Sequence, residues 1–310
     1  MVKDLLYYLI FPGFIFMAVA GGLLAGLDRK LTAWLQFRKG PPLIQPFYDF
    51  LKLLLVKETI LPARGSIVTF LAAPVFALTG AALSGIMILL PAFNYTSGFN
   101  GDIIVIFYLL AIPSFTYILG ALAAGNPLAS LGASREMKLI ISYELTFLLI
   151  LAAVIMKAGM TIRINDIIQA QVIQGPFIGS ISGILLFIVL IFCIQAKLGL
   201  VPFDMAEAET EINHGAFIEY SGSAFAMIKL AKYMMMFILP AFACIILLGG
   251  MRVDGIHIIW TILKILGIIL LITLIRNTNP RIRIDQAMRF FFIWMNLLVI
   301  IAIVLILFGL

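Results

Sequence analysis

Long apolar stretches separated by short polar connections fill the chain from end to end. A helix of about 20 mostly apolar residues crosses a bilayer and satisfies its own backbone hydrogen bonds in lipid. The pattern predicts eight membrane-spanning helices, at residues 5–27, 67–91, 102–125, 139–159, 176–200, within 216–249, 257–276 and 289–309. We therefore expect an all-α integral membrane protein in which residues 1–310 form a single polytopic membrane domain.

Residues 45–58 show a different pattern, with polar and apolar positions on opposite faces of a helix. Gln45, Asp49 and Lys52 recur at helical spacing, and the other side is covered by Phe47, Phe50, Leu51, Leu54 and Leu55. Such a segment lies along a membrane surface and does not cross the membrane. The sequence thus predicts an amphipathic surface helix between the first two spans.

The composition agrees with a membrane location. Hydrophobic residues make up 63% of the chain, charged residues make up 12%, and the mean hydropathy is +1.16, whereas soluble domains are about 25% charged. The net charge of +6 comes from basic residues near the ends of the predicted spans. It therefore indicates membrane topology in a lipid bilayer and implies no nucleic-acid partner.

The basic residues also predict the orientation, because Lys and Arg concentrate in cytoplasmic connections. One side of the membrane receives Arg29, Lys30, Arg38, Lys39, Lys52, Lys57, Arg64, Arg135, Lys138, Arg276, Arg281, Arg283 and Arg289. The other side receives Lys3, Lys157, Arg163 and Arg252. We predict that the richer side is cytoplasmic, which places both termini outside the plasma or inner membrane.

Few residues could hold a redox centre. Cys193 and Cys244 lie within apolar runs, no C-x-x-C motif occurs, and the two histidines are His214 and His257. Iron–sulfur clusters need several cysteine ligands. We therefore expect that this chain binds no cofactor or metal and takes part in redox chemistry through partner subunits.

The acidic segment, residues 201–220, is predicted to be a cytoplasmic loop, and no Lys or Arg occurs between Lys197 and Lys229. Its acids are Asp204, Glu207, Glu209, Glu211 and Glu219. Clustered carboxylates away from bulk water do not all ionise at low cost, so at least one is expected to hold a proton near neutral pH. A solvated loop is the alternative, but interleaved apolar residues such as Phe203 and Phe217 favour a partly buried cluster.

Ionisable residues inside spans cost about 2.5 to 3.5 kcal/mol at the bilayer centre and usually mark an ion path. Glu144 lies in the fourth span, and Lys229 and Lys232 follow the acidic segment. We predict a proton path through the acidic segment, Glu144 and these two lysines, with Glu219 and the lysines forming charge pairs that switch. For Lys197 and Lys264, near span ends, snorkelling to the interface is an alternative.

The basic connection at residues 276–286 has two interpretations. It is either a positive-inside anchor, or Arg281 and Arg283 pair with acids of the acidic segment or of a docked soluble subunit.

Several segments together resemble a known family, the membrane subunit that joins the redox arm to the membrane arm. It is the H subunit in respiratory complex I and the M subunit in energy-converting membrane-bound nickel–iron hydrogenases. The matching segments are residues 28–30, 36–41, 45–46 with Asp49 and Lys52, 131–135, 141–144, 202–204 with the acids that follow, and 280–281 with Arg283, Asp285 and Gln286. They occur in order, so the resemblance covers most of the chain.

The resemblance implies a complex I H-subunit-like fold of eight spans, the number that hydropathy predicts. It implies that the acids line a path from the redox interface toward the pump modules. It also implies a docking or charge-pairing surface that includes Asp28, Arg29, Arg38, Asp49, Lys52, Arg135, Arg281, Arg283 and Asp285. The implied partners are soluble hydrogenase-like large and small subunits and an iron–sulfur subunit, which carry the clusters and the nickel–iron centre, and antiporter-like membrane subunits.

Three departures from the quinone-reducing members favour a hydrogenase-type or sulfur-reducing complex. Residues 42–44 alone separate 40–41 from 45–46, where those members carry a longer Gly/Pro-rich insert. Residues 197–201 lack the Asn-Arg pair that precedes Pro-Phe-Asp. Residues 231–233 read Ala-Lys-Tyr where those members have Ala-Glu-Tyr.

The sequence favours a non-catalytic core subunit of a ferredoxin-dependent, energy-converting membrane-bound hydrogenase-type complex that couples electron transfer to translocation of H⁺ or Na⁺. Three alternatives stay open. One is the H subunit of a quinone-reducing complex I of the NADH or F420H2 dehydrogenase type. Another is a free-standing secondary transporter, which the absence of an internal repeat disfavours. The last is a scaffold without an ion path.

Overall fold

The computed structural model describes residues 2–93, 95, 98–251, 255 and 257–309, and the side chains of residues 2–5, 209 and 210 lie outside this description. All regular structure in the described part is helical. The helices are α1 (Val2–Leu9), α2 (Phe14–Leu35), α3 (Gln45–Leu55), α4 (Ile67–Ala92), α5 (Asp102–Ala123), α6 (Pro127–Lys157), α7 (Ile164–Gln174), α8 (Ile181–Lys197), α9 (Glu209–Ile212), α10 (Gly222–Leu247), α11 (His257–Thr278), α12 (Ile284–Arg289) and α13 (Asn296–Leu307).

Seven helical segments in the described part are long and apolar enough to cross a membrane. They are α1 from Leu6 together with α2, then α4, α5, α6, α10 and α11, and finally α12 and α13 with the π-helical turn Phe290–Met295 between them. The remaining predicted span, at residues 176–200, corresponds to the shorter helix α8. Its 17 residues measure about 26 Å at 1.5 Å per residue. The predicted all-α membrane fold is confirmed.

The first predicted span differs from the structure at both ends. α1 and α2 are separated around Pro12, which has no N–H to continue a helix. α2 then extends to Leu35, past the predicted end at residue 27. It continues because Asp28 and Arg29, which were expected to end the span, form ion pairs with residues of other segments.

The fourth span begins earlier than predicted, because α6 starts at Pro127. Proline is favoured at the first helical position, and the Asn126 side chain caps the helix by accepting a hydrogen bond from the Leu128 N–H at 2.9 Å. The apolar pattern does not show these first turns, because they mix polar and apolar residues. As a result, Glu144 lies in the middle of a 31-residue helix, and Glu136 lies about two turns before it.

The predicted surface helix is present as α3, although it ends at Leu55 and not at residue 58. The Phe47 ring packs on Gly22 of α2, where an added Cβ would lie 2.6 Å from the ring. Tyr48 and Leu55 are 60% and 76% exposed. One face of α3 is therefore fixed to the protein, and apolar side chains face outward, as the amphipathic pattern predicts.

α10 lies at the centre of the fold and contacts α2, α3, α4 and α11. Apolar side chains along its length are buried, among them Met234, Phe242 and Ile245. The acidic segment, which connects α8 to α10, folds back onto α5 and α6. Gly132 of α6 leaves room for this close approach, because an added Cβ would lie 2.5 Å from the Ala216 backbone nitrogen.

Candidate functional site

The acidic segment is packed against the helices and is not an open loop. Its residues Phe203, Met205 and Ala208 are at most 5% exposed, which agrees with the partly buried cluster that the sequence favours. Most of the segment consists of turns, and its helical structure is limited to α9 and the 3-10 turn Gly215–Phe217. Its acids therefore do not share one face of a continuous helix, and the four acids whose side chains are described, Asp204, Glu207, Glu211 and Glu219, each have a different partner.

Asp204 pairs with Arg281 in the connection between α11 and α12. The Nη2 and Nε atoms of Arg281 lie 2.6 and 2.8 Å from Oδ2 of Asp204, while Oδ1 is buried without a hydrogen-bond partner in the described part. Burial raises the pKa of Asp204 more than the guanidinium lowers it, so this pKa lies above its ordinary value. The predicted pairing of Arg281 with an acid of this segment is therefore present.

Two further acids pair with cations from neighbouring helices. Glu207 forms an ion pair with Lys232 of α10, whose ammonium nitrogen also lies 4.3 Å from the centre of the Phe217 ring. Glu211 forms an ion pair with Arg135 of α6 at 2.7 Å, and its side chain is 60% exposed. A segment that has no basic residue of its own is thus partly neutralised by cations from distant positions in the chain.

Glu144 forms an ion pair with Lys197, the last residue of α8. The Lys197 side chain is 1% exposed and that of Glu144 is 13% exposed, and the Lys197 ammonium lies 4.7 Å from the centre of the Phe147 ring. Oε2 of Glu144 is buried without a hydrogen-bond partner in the described part. The pair explains how both charges are accommodated within membrane-spanning helices, and Lys197 does not snorkel to the interface.

A small cavity is lined by residues of three of these pairs, and Glu211 and Arg135 lie outside its lining. Its volume open to a water-sized molecule is about 30 Å³, which is room for roughly two waters. The charged side chains in its lining are Glu136, Lys197, Asp204, Glu207 and Lys232. Lys197 lines the cavity and also forms an ion pair with Glu144. Only this ion pair therefore separates the loop acids at the cavity from the Glu144 carboxylate in α6.

Two charged residues at this cavity were not among the predicted path residues. Glu136 was missed because it precedes the predicted start of the fourth span. A signal was available in its position eight residues before Glu144, a spacing that returns to the same stripe of a helix. Lys197 was left out because its place at a span end is also typical of a snorkelling lysine.

Other predicted path residues lie apart from this cavity. Glu219 accepts a hydrogen bond from Nδ2 of Asn126 at 2.5 Å, and among the described contacts it forms no ion pair with Lys229 or Lys232. Lys229 instead lies over an aromatic ring of its own helix, 4.9 Å from the ring centre. The expected switching pairs of Glu219 with these lysines are therefore absent from the described part. The Glu209 side chain lies outside the described residues.

Several residues predicted for docking instead connect elements within the protein. Asp28 is 3% exposed and accepts a hydrogen bond from Arg276 at 2.6 Å, and Arg29 pairs with Asp49 at 2.7 Å, which ties α3 to α2. Burial acts to raise the pKa of Asp49, but hydrogen bonds from Arg29 and Gln45 together bring this pKa below its ordinary value. The predicted docking residues that remain exposed are Arg38, Lys52, Arg281, Arg283 and Asp285.

No group of three or more His, Cys, Asp or Glu side chains in the described part could hold a metal ion. Cys193 and Cys244 are buried free thiols. The absence of a cofactor on this chain stays a prediction.

Residues 7–307 match the family model described as NADH dehydrogenase. The chain belongs to this family. The H subunit of the NADH-quinone oxidoreductase of Dehalococcoides mccartyi strain CBDB1 is 34% identical over 299 residues, which cover 92% of this chain and 81% of the relative. The corresponding protein of Thermomicrobium roseum is also 34% identical, over 89% and 88% of the two chains.

Among solved structures, a chain of the membrane-bound sulfane sulfur reductase, an archaeal respiratory membrane complex, superposes on this NADH dehydrogenase family member with a TM-score of 0.86. The two are 27% identical, and the match covers 94% of this chain and 96% of the other. The resemblance seen in the sequence is confirmed. The chain is a complex I H-subunit-like, multi-pass membrane subunit of a membrane-bound respiratory complex. The side of the membrane on which its termini and acidic segment lie stays a prediction.

Proposed function

We propose that this subunit transmits electron transfer in docked soluble subunits to the translocation of H⁺ or Na⁺ and performs no redox chemistry itself. One observation carries the proposal. The water-sized cavity joins the acids of the loop, which hold cations from α10 and from the α11–α12 connection, to the Lys197–Glu144 pair between α8 and α6. Charged groups therefore follow one another from the predicted cytoplasmic face into the membrane-spanning helices.

The proposed coupling is electrostatic. Asp204 and Glu207 line the same cavity, and each pairs with one cation. A change of charge in a docked subunit would alter the relative cost of ionising these two carboxyls, and a proton released at the cavity could reach Glu144 as Lys197 changes partner. The coupling free energy is limited to the difference between the interactions that the two redox states make with these groups.

We infer further that the parent complex takes electrons from ferredoxin and is of the hydrogenase or sulfur-reducing type. At two of the sequence departures from quinone-reducing members, this chain has a lysine in the proposed path. Lys232 forms an ion pair with Glu207, and Lys197 forms one with Glu144. The likeness to a sulfane sulfur reductase chain over nearly the whole length of both proteins supports the same assignment. The proposed partners are hydrogenase-like large and small subunits, an iron–sulfur subunit and antiporter-like membrane subunits.

A quinone-reducing complex I is the second candidate, because the relatives at 34% identity are named as subunits of NADH-quinone oxidoreductases. Turnover of the purified complex distinguishes the two. The first proposal expects reduced ferredoxin to support turnover that quinone-site inhibitors leave unchanged. Bound quinone together with inhibition by those compounds would favour the second. Neither result bears on the ion path itself.

The ion path is tested in the whole complex, reconstituted in liposomes, by replacing Glu144 with Gln. We expect redox turnover to persist while the number of ions moved per electron falls. Glu58→Gln is the matched control, because Glu58 is an exposed glutamate that does not line the cavity. A native ion-to-electron ratio in Glu144→Gln would show that the path does not run through this carboxylate.

A further inference from the structure

A carboxylate that the proposed function does not use lies at the opposite end of the helices from the acidic segment. Asp102 is the first residue of α5 and is 1% exposed, whereas the other end of α5 lies near Asn126, the partner of Glu219. Oδ1 of Asp102 accepts a hydrogen bond from the Ile164 N–H at 2.9 Å. Oδ2 is buried and makes no hydrogen bond of good geometry in the described part, although the backbone amides of Ile103 and Phe99 lie near the carboxylate. A buried carboxylate oxygen without a partner is costly.

This carboxylate forms part of the wall of a cavity of about 270 Å³. Gly98 lies over Oδ2, since an added Cβ there would be 2.5 Å from that oxygen, and its φ of +67° favours glycine. The other lining residues are Tyr8, Ile86, Met87, Leu90, Pro91 and Phe99. One acid in a mostly apolar wall suits a ligand that has an apolar body and a single cationic, hydrogen-bond-donating group.

The cavity lies where membrane and water meet. It is formed where α4 ends and α5 begins, and both helices are long and apolar enough to cross a membrane. Tyr8, Tyr95 and Phe99 are 48%, 43% and 46% exposed at this end of the protein, and aromatic side chains are typical of the interfacial level. Asp166 adds negative charge near Asp102. A ligand for this cavity is therefore best supplied by the headgroup layer of the bilayer.

We propose that this cavity binds a primary ammonium group, which donates a hydrogen bond to Oδ2 of Asp102. A divalent metal ion is a poorer fit, because such ions need about six oxygen ligands and the lining is mostly apolar. A lipid headgroup that ends in a primary amine and a small free amine present the same chemistry. The lipid in addition offers an apolar body that continues into the membrane.

The test uses the native complex in nanodiscs made from phospholipids with the same acyl chains and either ethanolamine or choline headgroups. Native mass spectrometry counts the lipids retained after partial delipidation. We expect the ethanolamine lipid to be retained about tenfold better, the scale of one charge-assisted hydrogen bond, because the quaternary amine of choline has no N–H. Asp102→Asn keeps an acceptor for Ile164 and is expected to abolish the preference. Glu58→Gln, at an exposed acid that does not line this cavity, is the control and is expected to preserve it.

A second variant, Met87→Trp, fills the cavity without changing the carboxylate, and it should also abolish retention. Competition by free ethanolamine at millimolar concentration would show that the site accepts small amines as well as headgroups, which supports the ammonium assignment. Equal retention of the two lipids, or a preference that survives both Asp102→Asn and Met87→Trp, overturns the proposal.

Discussion

Two ion pairs of this protein each join a glutamate to a basic side chain, but they differ in how far they are exposed. The Lys197–Glu144 side chains are 1% and 13% exposed, whereas the Arg135–Glu211 side chains are 28% and 60% exposed. Removing one partner of a buried pair leaves an uncompensated charge and costs about 3–5 kcal/mol. An exposed pair contributes only about 0–1 kcal/mol. Residues with the same charges therefore have very different energetic weight here.

When the exposed fractions of the two partners are averaged, the other two pairs fall between these extremes. The Lys232–Glu207 side chains are 27% and 33% exposed, and those of Arg281–Asp204 are 38% and 12% exposed. Water screens a change of charge at the outer pair, but the same change at the buried pair acts mainly on the immediate partner. Along this series, a change of charge therefore acts more strongly on the paired residue where the ion pair is more deeply buried. Burial, more than the identity of the acid, should therefore decide how much each residue matters.

The largest effect is expected at the buried end. Lys197→Met leaves Glu144 without its cation, so we expect the free energy of unfolding to fall by about 3–5 kcal/mol. The double variant Lys197→Met/Glu144→Gln should recover much of that loss, because it removes both charges. Denaturant unfolding of the purified protein in detergent measures both. A wild-type free energy of unfolding in Lys197→Met would show that the burial of this ion pair does not increase its contribution to stability.

An intermediate effect is expected at Lys232. Lys232→Met leaves Glu207 partly buried without a cation, and we expect a loss of about 1–3 kcal/mol in the free energy of unfolding. Lys229→Met on the same helix is the matched control. Lys229 lies over an aromatic ring, a contact worth about 0.5–1 kcal/mol. If the free energy of unfolding falls equally in Lys232→Met and Lys229→Met, the ion pair between Lys232 and Glu207 contributes no stability beyond the packing of the lysine side chain.

The pH dependence of stability sharpens the comparison at Asp204. Because burial raises its folded pKa, Asp204 contributes stability below the ordinary aspartate pKa of about 3.9, and this contribution is lost as the pH rises through the raised folded pKa. As the pH rises from about 3.9 through the raised folded pKa, the denaturation midpoint of Asp204→Asn should therefore fall less than that of the wild type. Asp285→Asn, at an exposed acid, should keep the wild-type slope. An unchanged slope in Asp204→Asn would contradict the raised pKa.

The spans could be predicted because a run of apolar residues is a local property of the sequence. The helix ends could not, because they depend on distant partners. α2 continues past Asp28 because Arg276 neutralises that acid, and the polar first turns of α6 gave no apolar signal. Local spacing reveals where charges lie along the chain but not which of them are neutralised.

The acids of the site could be predicted from composition and family resemblance, but most of their cations could not. Lys197 is separated from Glu144 by 53 positions and Arg135 from Glu211 by 76, so no helical spacing rule connects them. Lys232 was predicted as a path residue, but with Glu219 and not Glu207 as its partner. Two of the pairing lysines also stand where the family pattern of quinone-type members has other residues, which is why resemblance alone did not assign their role.

The smallest effect is expected at the exposed end of the series. Glu211→Gln should change the free energy of unfolding by less than about 1 kcal/mol, and the difference should shrink at high salt, where screening acts within about 3 Å at 1 M. The ion-to-electron ratio of the whole complex should fall less in Glu211→Gln than in Glu144→Gln, because water around Glu211 screens the change of charge. Equal losses in the two variants would mean that the position of a carboxylate along the path, and not its burial, sets its contribution to coupling.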